Sequence, residues 1–302
     1  MAKRALITGI FGFTGRRLAR TLHSEGIEVH GLGRENDGTA SDDLPATIHV
    51  ADLRDIGQIR AAFDAARPDY VIHLAGIAHV AHGDLEEMYL ANIVGTRNLL
   101  EGAAGSASSV EHVIVASSAN VYGNHDLPIL DEDTPLRPAN DYGVSKVSAE
   151  LVAATYTSRV PLTVVRPFNY TGVGQARSFL IPKIVAHFRE RAQTIELGNI
   201  DVARDFSDVR DVCQIYRRLL GRAEAVGTTV NICSGRPITL REVLDHCSDL
   251  TGQQVEIRVN PAFVRANEVR SLAGSTDRLL SIIGPFDRIP FRETLRWMLE
   301  AA

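Results

Sequence analysis

Three features are scarce in this chain of 302 residues: cysteine, an excess of basic charge, and long apolar runs. The three cysteines, Cys213, Cys233 and Cys247, are scattered and form no C-x-x-C pair. This pattern indicates small buried hydrophobic residues in a reducing compartment rather than a disulfide framework or a metal site. With 32 Lys and Arg against 37 Asp and Glu, the net charge is −5, so no basic excess offers a surface to nucleic-acid phosphates.

No apolar run approaches the ~20 residues that a helix needs to cross a bilayer. The N-terminal segment MAKRALITG has two basic residues, but its apolar run is far too short for a signal peptide. We therefore expect a cytoplasmic protein with neither nucleic acid nor a membrane among its partners. The composition is that of an ordinary globular protein, and the length allows one large α/β domain or a domain with an added lobe.

Short β-branched runs alternate with longer helical patterns through the first two-thirds of the chain. Several runs are almost wholly apolar, as expected when helices cover both faces of a parallel sheet. The alternation predicts βαβ units and an α/β fold with a Rossmann-type doubly wound parallel sheet. The predicted strands are residues 5–8, 27–32, 47–50, 70–75, 112–117 and 162–167, and the predicted helices are residues 14–25, 55–66, 86–104 and 141–158.

The rhythm changes after residue 168. Loops and short strands such as TVNIC separate helical patterns near residues 176–192, 208–220, 239–251 and 291–300. We expect a dinucleotide-binding domain over residues 1–168, to which 206–233 partly returns, and a smaller substrate-binding lobe over 169–205 and 234–302. A cleft would then lie at the carboxyl edge of the sheet.

A glycine-rich turn follows the first predicted strand and opens the first predicted helix. In LITGIFGFTG, Gly9 permits a tight turn, Gly12 lets a pyrophosphate approach the backbone, and Gly15 allows the helix to pack closely on the strand. The free N–H groups and the helix dipole favour an anionic diphosphate. Such a turn can be merely structural, but a strand before it and a helix after it indicate dinucleotide binding, with Phe13 and Thr14 also in the site.

The residue after the second strand bears on which dinucleotide binds. NAD sites usually place an acid there to hold the ribose 2′-OH, whereas this chain has Arg34 in GLGREND. A guanidinium suits a 2′-phosphate through bidentate, charge-assisted hydrogen bonds, which favours NADP(H). Glu35 and Asp37 keep NAD(H) as an alternative, and a solvated arginine is the structural interpretation. Asp52, after the third strand, could accept a hydrogen bond from the adenine amine.

Tyr142 and Lys146 lie four residues apart in DYGVSKVSAE, on one face of a predicted helix. An ammonium near a phenol lowers the pKa of the phenol, so this pair could transfer a proton near working pH. The spacing alone is common on ordinary helix surfaces. The fifth strand strengthens the catalytic interpretation, because it ends in VASSANVYG and brings Ser117 and Ser118 to the carboxyl edge, near Asn92 of the preceding helix.

Five motifs in order, TGIFGFTG, HLAG, SSANVYG, YGVSK and RPFNYTGVGQ, resemble those of the extended short-chain dehydrogenases/reductases. This superfamily contains nucleotide-sugar epimerases, dehydratases and reductases, and the resemblance runs from about residue 4 to near residue 300. It implies that hydride moves between nicotinamide C4 and a sugar carbon while Tyr142 transfers the proton. It also implies that Lys146 holds the nicotinamide ribose, that Ser118 is the catalytic serine, and that Tyr122 is a packing residue of the VYG turn.

The resemblance also implies further contacts with cofactor and substrate at the carboxyl edge and in the lobe, where arginines suit a diphosphate. On the dinucleotide we expect, besides the residues above, Leu53, Leu74, Ala75, Gly76, Asn92, Ser117, Pro167 and Phe168. On the sugar nucleotide we expect His79, Asn120, Asn169, Lys183, Arg204, Arg265 and Glu268. His79 and His82 lack other convergent ligands, so we expect no metal, and two loop histidines are the alternative interpretation.

The turn after the fifth strand separates the reactions of the superfamily. Its 4,6-dehydratases carry an acid two residues before the YG tyrosine, whereas this chain has Asn120, and an amide cannot act as a carboxylate acid or base. Redox at a sugar carbon or 4-epimerisation remains. RPFNYTGVGQ, IDVARDFSDVRDV and VNICSG are most similar to reductases of GDP-4-keto-6-deoxy-D-mannose, which implies NADPH-dependent formation of GDP-D-rhamnose.

Several alternatives stay open at this point. A GDP-6-deoxy-D-talose-forming reductase differs only in the carbonyl face that receives hydride, and a UDP- or GDP-hexose 4-epimerase would use the same groups. The nucleobase stays open, because the chain has Ala266 where relatives often have proline and GPFDRIP where a glycine-tryptophan is common. A dinucleotide-binding protein without turnover would share the fold. The resemblance implies a homodimer through helices 86–104 and 141–158, whose apolar positions could equally face the sheet.

Overall fold

Residues 2–34, 44–78, 84–261 and 271–301 are described by the structure, which is a computed structural model. The six strands predicted for the first two-thirds of the chain are all present, and each end lies within two residues of its predicted position. They are β1 (Arg4–Thr8), β2 (Glu28–Gly33), β3 (Thr47–Val50), β4 (Tyr70–His73), β5 (His112–Ala116) and β6 (Leu162–Pro167).

A seven-stranded sheet forms the centre of the molecule, in the order β10-β6-β5-β4-β1-β2-β3, where β10 spans Thr229–Ile232. Every neighbouring pair in it is parallel. The strand order reverses between β1 and β4, which creates a crevice at the carboxyl ends of those strands. The predicted doubly wound parallel sheet is confirmed.

Helices cover both faces of this sheet, which explains the apolar strands. Alternation along β1 shows the division: Ala5 and Ile7 join one buried cluster, and Leu6 joins the other. The first cluster packs under α1 (Phe13–Ser24), α7 (Val209–Leu219) and α9 (Asp277–Ile283), and the second under α2 (Ile56–Ala66), α4 (Gly95–Ala104) and α5 (Asp141–Ala154). Before α4, the chain forms α3 (Leu85–Tyr89) and a π-helical segment at Leu90–Val94.

Polar side chains fix where several helices begin. Asp55 accepts hydrogen bonds from the backbone at the start of α2, and Asn140 accepts one from Gly143 N at the start of α5. Thr239 and Glu242 form a capping box at the start of α8 (Leu240–Thr251). The cap at Asn140 matters for function, because it sets the first turn of the helix that carries Tyr142.

The rest of the chain builds a smaller lobe with its own apolar cluster, which includes Ile184, Phe188, Leu244 and Leu295. Its strands are β7 (Asn169–Thr171), β8 (Thr194–Leu197), β9 (Ala203–Asp208), β11 (Pro237–Thr239), β12 (Glu256–Val259) and β13 (Ser271–Leu272). Its helices are α6 (Leu180–Arg189), α8 and α10 (Phe291–Glu300). Two short 3-10 turns lie next to strands of the central sheet, at Ala119–Val121 after β5 and at Ala223–Ala225 before β10. The domain limits given above stay a prediction.

Over the described ranges, none of the helices is both long and apolar enough to cross a membrane. Cys213, Cys233 and Cys247 are free and buried, as predicted.

Candidate active site

The glycine-rich turn between β1 and α1 is built by backbone geometry that side chains would disrupt. At Gly9 the angle φ is +68°, and a Cβ there would lie 2.9 Å from Ala75 N. A Cβ on Gly15 would lie 2.2 Å from the carbonyl oxygen of Gly9. Gly12 is the N-cap of α1 and has no side chain to cap the first N–H groups, so they can bind an anion.

The first turn of α1 also contacts the lobe. The Thr14 hydroxyl lies 2.8 Å from the Tyr170 hydroxyl, and the Phe13 ring stacks on Tyr170 with the centroids 6.2 Å apart. Burial raises the pKa of Tyr170. Tyr170 was not among the predicted site residues. Its position directly after Asn169 in RPFNYTGVGQ could have indicated it.

A buried hydrogen-bond chain holds the loop after β4 against this turn. The Thr96 hydroxyl donates to Asn92 O at 2.6 Å, so it accepts from His73 Nε2–H at 3.0 Å. His73 Nδ1 then accepts from the Thr8 hydroxyl at 2.8 Å, and Thr8 Oγ1 accepts from Ala75 N at 3.1 Å. Burial lowers the pKa of His73 to about 3, which keeps the imidazole neutral. The chain therefore fixes Leu74–Gly76 beside Gly9.

Asn92, in the π-helical segment, links this loop to α5. Its amide accepts from Ile77 N at 2.8 Å, and it donates to Ile77 O at 3.1 Å and to Ser145 Oγ at 2.9 Å. A Cβ on Gly76 would lie 2.8 Å from Asn92 Oδ1 and 3.2 Å from Lys146 Nζ, so a side chain there would displace these two groups. Asn92 thus has a structural role, and its contact with the cofactor stays a prediction. Such π segments often occur at functional sites.

The three predicted catalytic residues lie together at the carboxyl edge of β5. Ser118 hydrogen-bonds the Tyr142 side chain. Lys146 Nζ donates to Ala116 O at 3.0 Å and lies 6.0 Å from the centre of the Tyr142 ring. Asn120, which is exposed, donates to Ser118 Oγ at 3.0 Å and so borders the same group.

The electrostatics of the pair differ from the expectation. Burial raises the pKa of Tyr142 to about 12, and the hydrogen bond from Ser118 lowers it only in part. Burial also lowers the pKa of Lys146 to about 8, against the pull of Glu150. The expected lowering of the Tyr142 pKa by Lys146 was therefore wrong, because removal of the phenolate from water outweighs an ammonium at this distance.

Two predicted cofactor residues have side chains engaged within the protein. The Ser117 hydroxyl donates to Glu150 of α5. Phe168 is only 3% exposed and packs against Tyr122, with the ring centroids 6.1 Å apart, so its side chain lies in the core. Tyr122 is fully buried, which confirms its packing role. Cofactor contacts of Ser117, Pro167 and Phe168 stay predictions.

Charged side chains surround the ends of β2 and β3, where the adenosine half of a dinucleotide is expected. Arg34 Nη1 donates to Glu87 Oε1 at 3.0 Å, and its side chain is 56% exposed. Arg54 Nε lies 3.0 Å from both carboxylate oxygens of Asp52, and this pairing lowers the pKa of Asp52. Glu87 was not predicted, because it lies 53 residues from Arg34 and only the fold brings the two together. Arg54 was also not predicted, although it is only two residues from Asp52 in the sequence. The neighbouring Leu53 accepts from Asn98 through its carbonyl oxygen.

On the lobe side, Asn169 is the clearest ligand group. Its Nδ2 is buried, and within the described part of the chain it has no hydrogen-bond partner, which is unusual for a native amide. Lys183 Nζ donates to Glu196 O at 2.9 Å, and Arg204 Nη1 donates to Ala203 O at 2.8 Å. Their substrate contacts stay predictions.

Three predicted substrate residues, His79, Arg265 and Glu268, lie outside the described residues, as do Glu35 and Asp37.

This arrangement can protonate a carbonyl oxygen. The Ser118 hydroxyl acts on the Tyr142 phenol, the buried Lys146 ammonium lies 6.0 Å from the Tyr142 ring, and the uncapped start of α1 follows β1 in the same sheet. The residues present fit a dinucleotide, because the glycine turn is a cradle that a Cβ would fill.

Comparisons with known proteins agree with this geometry. The model of the NAD dependent epimerase/dehydratase family matches residues 5–233. The GDP-6-deoxy-D-talose 4-dehydrogenase of Aggregatibacter actinomycetemcomitans is 32% identical over 282 residues, which are 93% of this chain and 91% of the relative. The GDP-6-deoxy-D-mannose reductase of Pseudomonas aeruginosa is 33% identical over an alignment of 311 positions, gaps included, that covers 99% of this chain and 97% of the relative. The structure of RMD from Pseudomonas aeruginosa complexed with NADPH superposes with a TM-score of 0.83 at 32% identity, covering 99% of this chain and 97% of that chain.

The chain belongs to the NAD dependent epimerase/dehydratase family, which confirms the resemblance noted in the motifs. It is an NAD(P)-dependent oxidoreductase of the kind that modifies nucleotide sugars.

Proposed function

We propose that this protein uses NADPH to reduce the 4-keto group of a nucleotide-diphosphate 6-deoxy sugar, converting GDP-4-keto-6-deoxy-D-mannose to GDP-D-rhamnose. The observation that carries the proposal is the convergence of Ser118, Tyr142 and Lys146 beside the glycine turn, with Asn120 where a dehydratase needs an acid. The reductase of Pseudomonas aeruginosa, similar over almost its whole length, supports the choice of a GDP-linked sugar.

In this mechanism the bound dinucleotide, held by the glycine turn and the start of α1, supplies the hydride. Tyr142 delivers the proton to the substrate oxygen, and its pKa of about 12 means that the phenol carries that proton at neutral pH. Ser118 donates a second hydrogen bond to the same oxygen and orients it. With a pKa of about 8, Lys146 is mostly an ammonium at neutral pH and stabilises the phenolate that Tyr142 leaves behind.

Arg34 supports NADPH over NADH in this proposal. It lies just past β2, its guanidinium is more than half exposed, and two charge-assisted hydrogen bonds to a 2′-phosphate suit its geometry. The NADPH complex of the Pseudomonas aeruginosa protein supports the same choice. NADH is the alternative cofactor.

Two other reactions are alternatives. The talose 4-dehydrogenase of Aggregatibacter actinomycetemcomitans favours GDP-6-deoxy-D-talose as the product, since the same groups would serve if hydride reached the other face of the ketone. A UDP- or GDP-hexose 4-epimerase would keep its cofactor through turnover. Isolation of the protein with tightly held NAD, or activity without added nucleotide, would favour the epimerase.

The test is an assay over a panel of GDP-, dTDP- and UDP-4-keto-6-deoxy sugars, with NADPH oxidation followed and the product identified by NMR. We expect stoichiometric NADPH consumption with the GDP ketone and GDP-D-rhamnose as the product. No consumption with that ketone would refute the proposal, and GDP-6-deoxy-D-talose would move it to the alternative reductase.

Replacement of Tyr142 by Phe is expected to lower kcat by about a hundredfold to ten-thousandfold with dinucleotide binding kept, because only the transferable proton is removed. Y156F is the matched control, since the Tyr156 hydroxyl bonds Glu101 at 3.1 Å beyond the C-terminal end of α5, the end opposite to Tyr142. Turnover retained in Y142F would contradict the role assigned to Tyr142.

A homodimer through α4 and α5 is also proposed. The apolar positions of these helices divide between two sides: Leu99 is fully buried against the sheet, whereas Leu151 is 65% exposed and Val144 is 39% exposed. Leu151 and Val144 are seven residues apart on α5, so they share one outward face. A second copy of the chain is the occupant that the resemblance implies. A cytoplasmic location stays a prediction.

A further inference from the structure

Glu150 lies one helical turn after Lys146 on α5, and its side chain is only 10% exposed. Its Oε1 accepts hydrogen bonds from the Ser117 hydroxyl and from Arg166 Nε, the latter at 3.0 Å. Its Oε2 accepts from Arg166 Nη2 at 2.8 Å. A buried carboxylate is tolerated only when it is paired in this way, so Glu150 is fixed between α5 and the ends of β5 and β6.

In the sequence, Ser117 lies between the two residues whose contacts define the catalytic group. Its neighbours in sequence are Ala116, whose carbonyl oxygen accepts from Lys146, and Ser118, which hydrogen-bonds Tyr142. On the helix side, residues 142, 146 and 150 share one face at intervals of four. Three successive positions at the strand end therefore contact three successive turns of α5.

Charged and titratable groups reach Lys146 from two elements. On α5, Glu150 opposes the burial that lowers the pKa of Lys146, and the Tyr142 ring lies 6.0 Å away. From β4, His73 is kept neutral by burial and adds no positive charge. Arg166, from β6, balances Glu150 and is itself held by the Tyr122 hydroxyl at 3.0 Å.

We infer that Glu150 and Ser117 are positioning residues for the reaction: their hydrogen bond sets the separation between the helix that carries Tyr142 and Lys146 and the strand end that carries Ser118. The inference rests on the proposed function. Neither residue needs to touch the reacting atoms. A shift of the helix by a fraction of an ångström would misplace the proton donor, and misplacement of about 1 Å can lower a rate by about a hundredfold.

The experiment compares S117A and E150Q with Y122F. The Tyr122 hydroxyl belongs to the same buried network, donating to Asn231 Oδ1 at 2.7 Å, but it contacts neither α5 nor the end of β5. We expect S117A and E150Q to lower kcat roughly tenfold to a hundredfold with the Kd for NADPH unchanged. E150Q should also move the basic limb of the kcat–pH profile to lower pH, because loss of the carboxylate lowers the pKa of Lys146. Y122F should lower the Tm to an extent similar to that of S117A and E150Q, but it should keep kcat within about twofold of the wild type.

Several outcomes would overturn the inference. One is a kcat and pH profile of S117A that match those of the wild type. Another is a loss of kcat in Y122F as large as the loss in S117A. A raised Kd for NADPH in S117A, with kcat unchanged, would instead make Ser117 a cofactor contact. Because E150Q leaves Arg166 unpaired and can fail to fold, S117A is the deciding variant.

A wild type that reduces none of the ketones would refute the proposed function without deciding the positioning role. In that case the positioning role is tested through the ionisation of Tyr142. The tyrosinate absorbance of each protein is compared with that of the same protein carrying Y142F, and the difference gives the ionisation of Tyr142. We expect S117A to shift this ionisation, and an ionisation equal to that of the wild type would overturn the inference.

Discussion

At the scale of the residue, position and electrostatics have to be judged separately. Tyr142 and Lys146 lie on one helix face, as their spacing predicts, yet the pKa of Tyr142 is raised to about 12 rather than lowered. Sequence spacing shows which side chains are neighbours along a helix, but it carries no information on how much water the fold removes from them. Desolvation depends on the fold, and the groups that act on the Tyr142 phenol, Ser118 after β5 and Tyr170 on β7, come from distant parts of the chain.

Arg34 and Glu87 give a prediction about cofactor preference. R34A should raise the KM for NADPH roughly ten- to hundredfold, because charge-assisted phosphate contacts are worth about 1.5–3 kcal/mol, and should change the KM for NADH little. E87Q should lower the KM for NADPH by up to about fivefold, since it frees Arg34 from an exposed ion pair worth at most about 1 kcal/mol. Steady-state kinetics with both cofactors measure the two ratios.

The control for this pair is R258A, which removes an arginine of similar exposure from an ion pair with Glu256 in the lobe. R258A should leave the NADPH-to-NADH ratio unchanged. If R34A raised both KM values equally, Arg34 would not contact the 2′-phosphate.

At the scale of the element, apolar patterns predict the ends of several helices well. The predicted helix at 291–300 matches α10 residue for residue, and α8 begins directly after its N-cap, Thr239, within one residue of the predicted start at 239. The predicted helix at 86–104 contains a π segment instead of continuous α-helix. Asn92 in that segment bonds Ile77 and Ser145, which lie outside it, and the local apolar pattern holds no record of these contacts.

The start of α7 gives a prediction about pH. Asp211, 8% exposed, accepts from Ile289 N at 2.8 Å, and burial raises its pKa from 3.8 to about 6. Because the folded state holds this proton more tightly than the unfolded chain, the contribution of Asp211 to stability is present below pH ~4 and is lost as pH rises to ~6. D211N keeps an oxygen for Ile289 N and removes the ionisation. It should therefore be more stable than the wild type at pH 7, by about 1–3 kcal/mol.

Urea unfolding of both proteins between pH 4 and pH 7 measures this difference in the free energy of unfolding, which should vanish near pH 4. D245N, the same change at an exposed position of α8, is the control. A difference between D211N and wild type that is independent of pH would contradict the assignment of the raised pKa to Asp211.

At the scale of the whole molecule, the outward face of α5 predicts assembly. We expect the wild type to sediment with twice the chain mass of 32.9 kDa at micromolar concentration, and L151E to sediment as a monomer, because a charge at the centre of an apolar contact is left unpaired. V259E places the same charge at a valine that is 56% exposed on β12 and should stay dimeric. A monomeric wild type, or a dimeric L151E, would refute the dimer through α5.

Much of this molecule was determined by sequence alone. The strand–helix alternation, the glycine spacing and the four-residue spacing of Tyr142 and Lys146 are local patterns. They therefore predicted the α/β class, the sheet and the approximate place of the proton-transfer group. The motifs named the family for the same reason, since each is a short contiguous segment.

Only the tertiary structure decided which groups are paired, buried or free. It brought Glu87 to Arg34, Glu150 to Ser117, and Tyr170 to Thr14, across separations of 33 to 156 residues. It also buried the Tyr142 phenol and left Asn169 Nδ2 without a hydrogen-bond partner among the described residues. Local patterns arise from backbone geometry over a few residues, whereas desolvation and pairing depend on which distant segments the fold brings together.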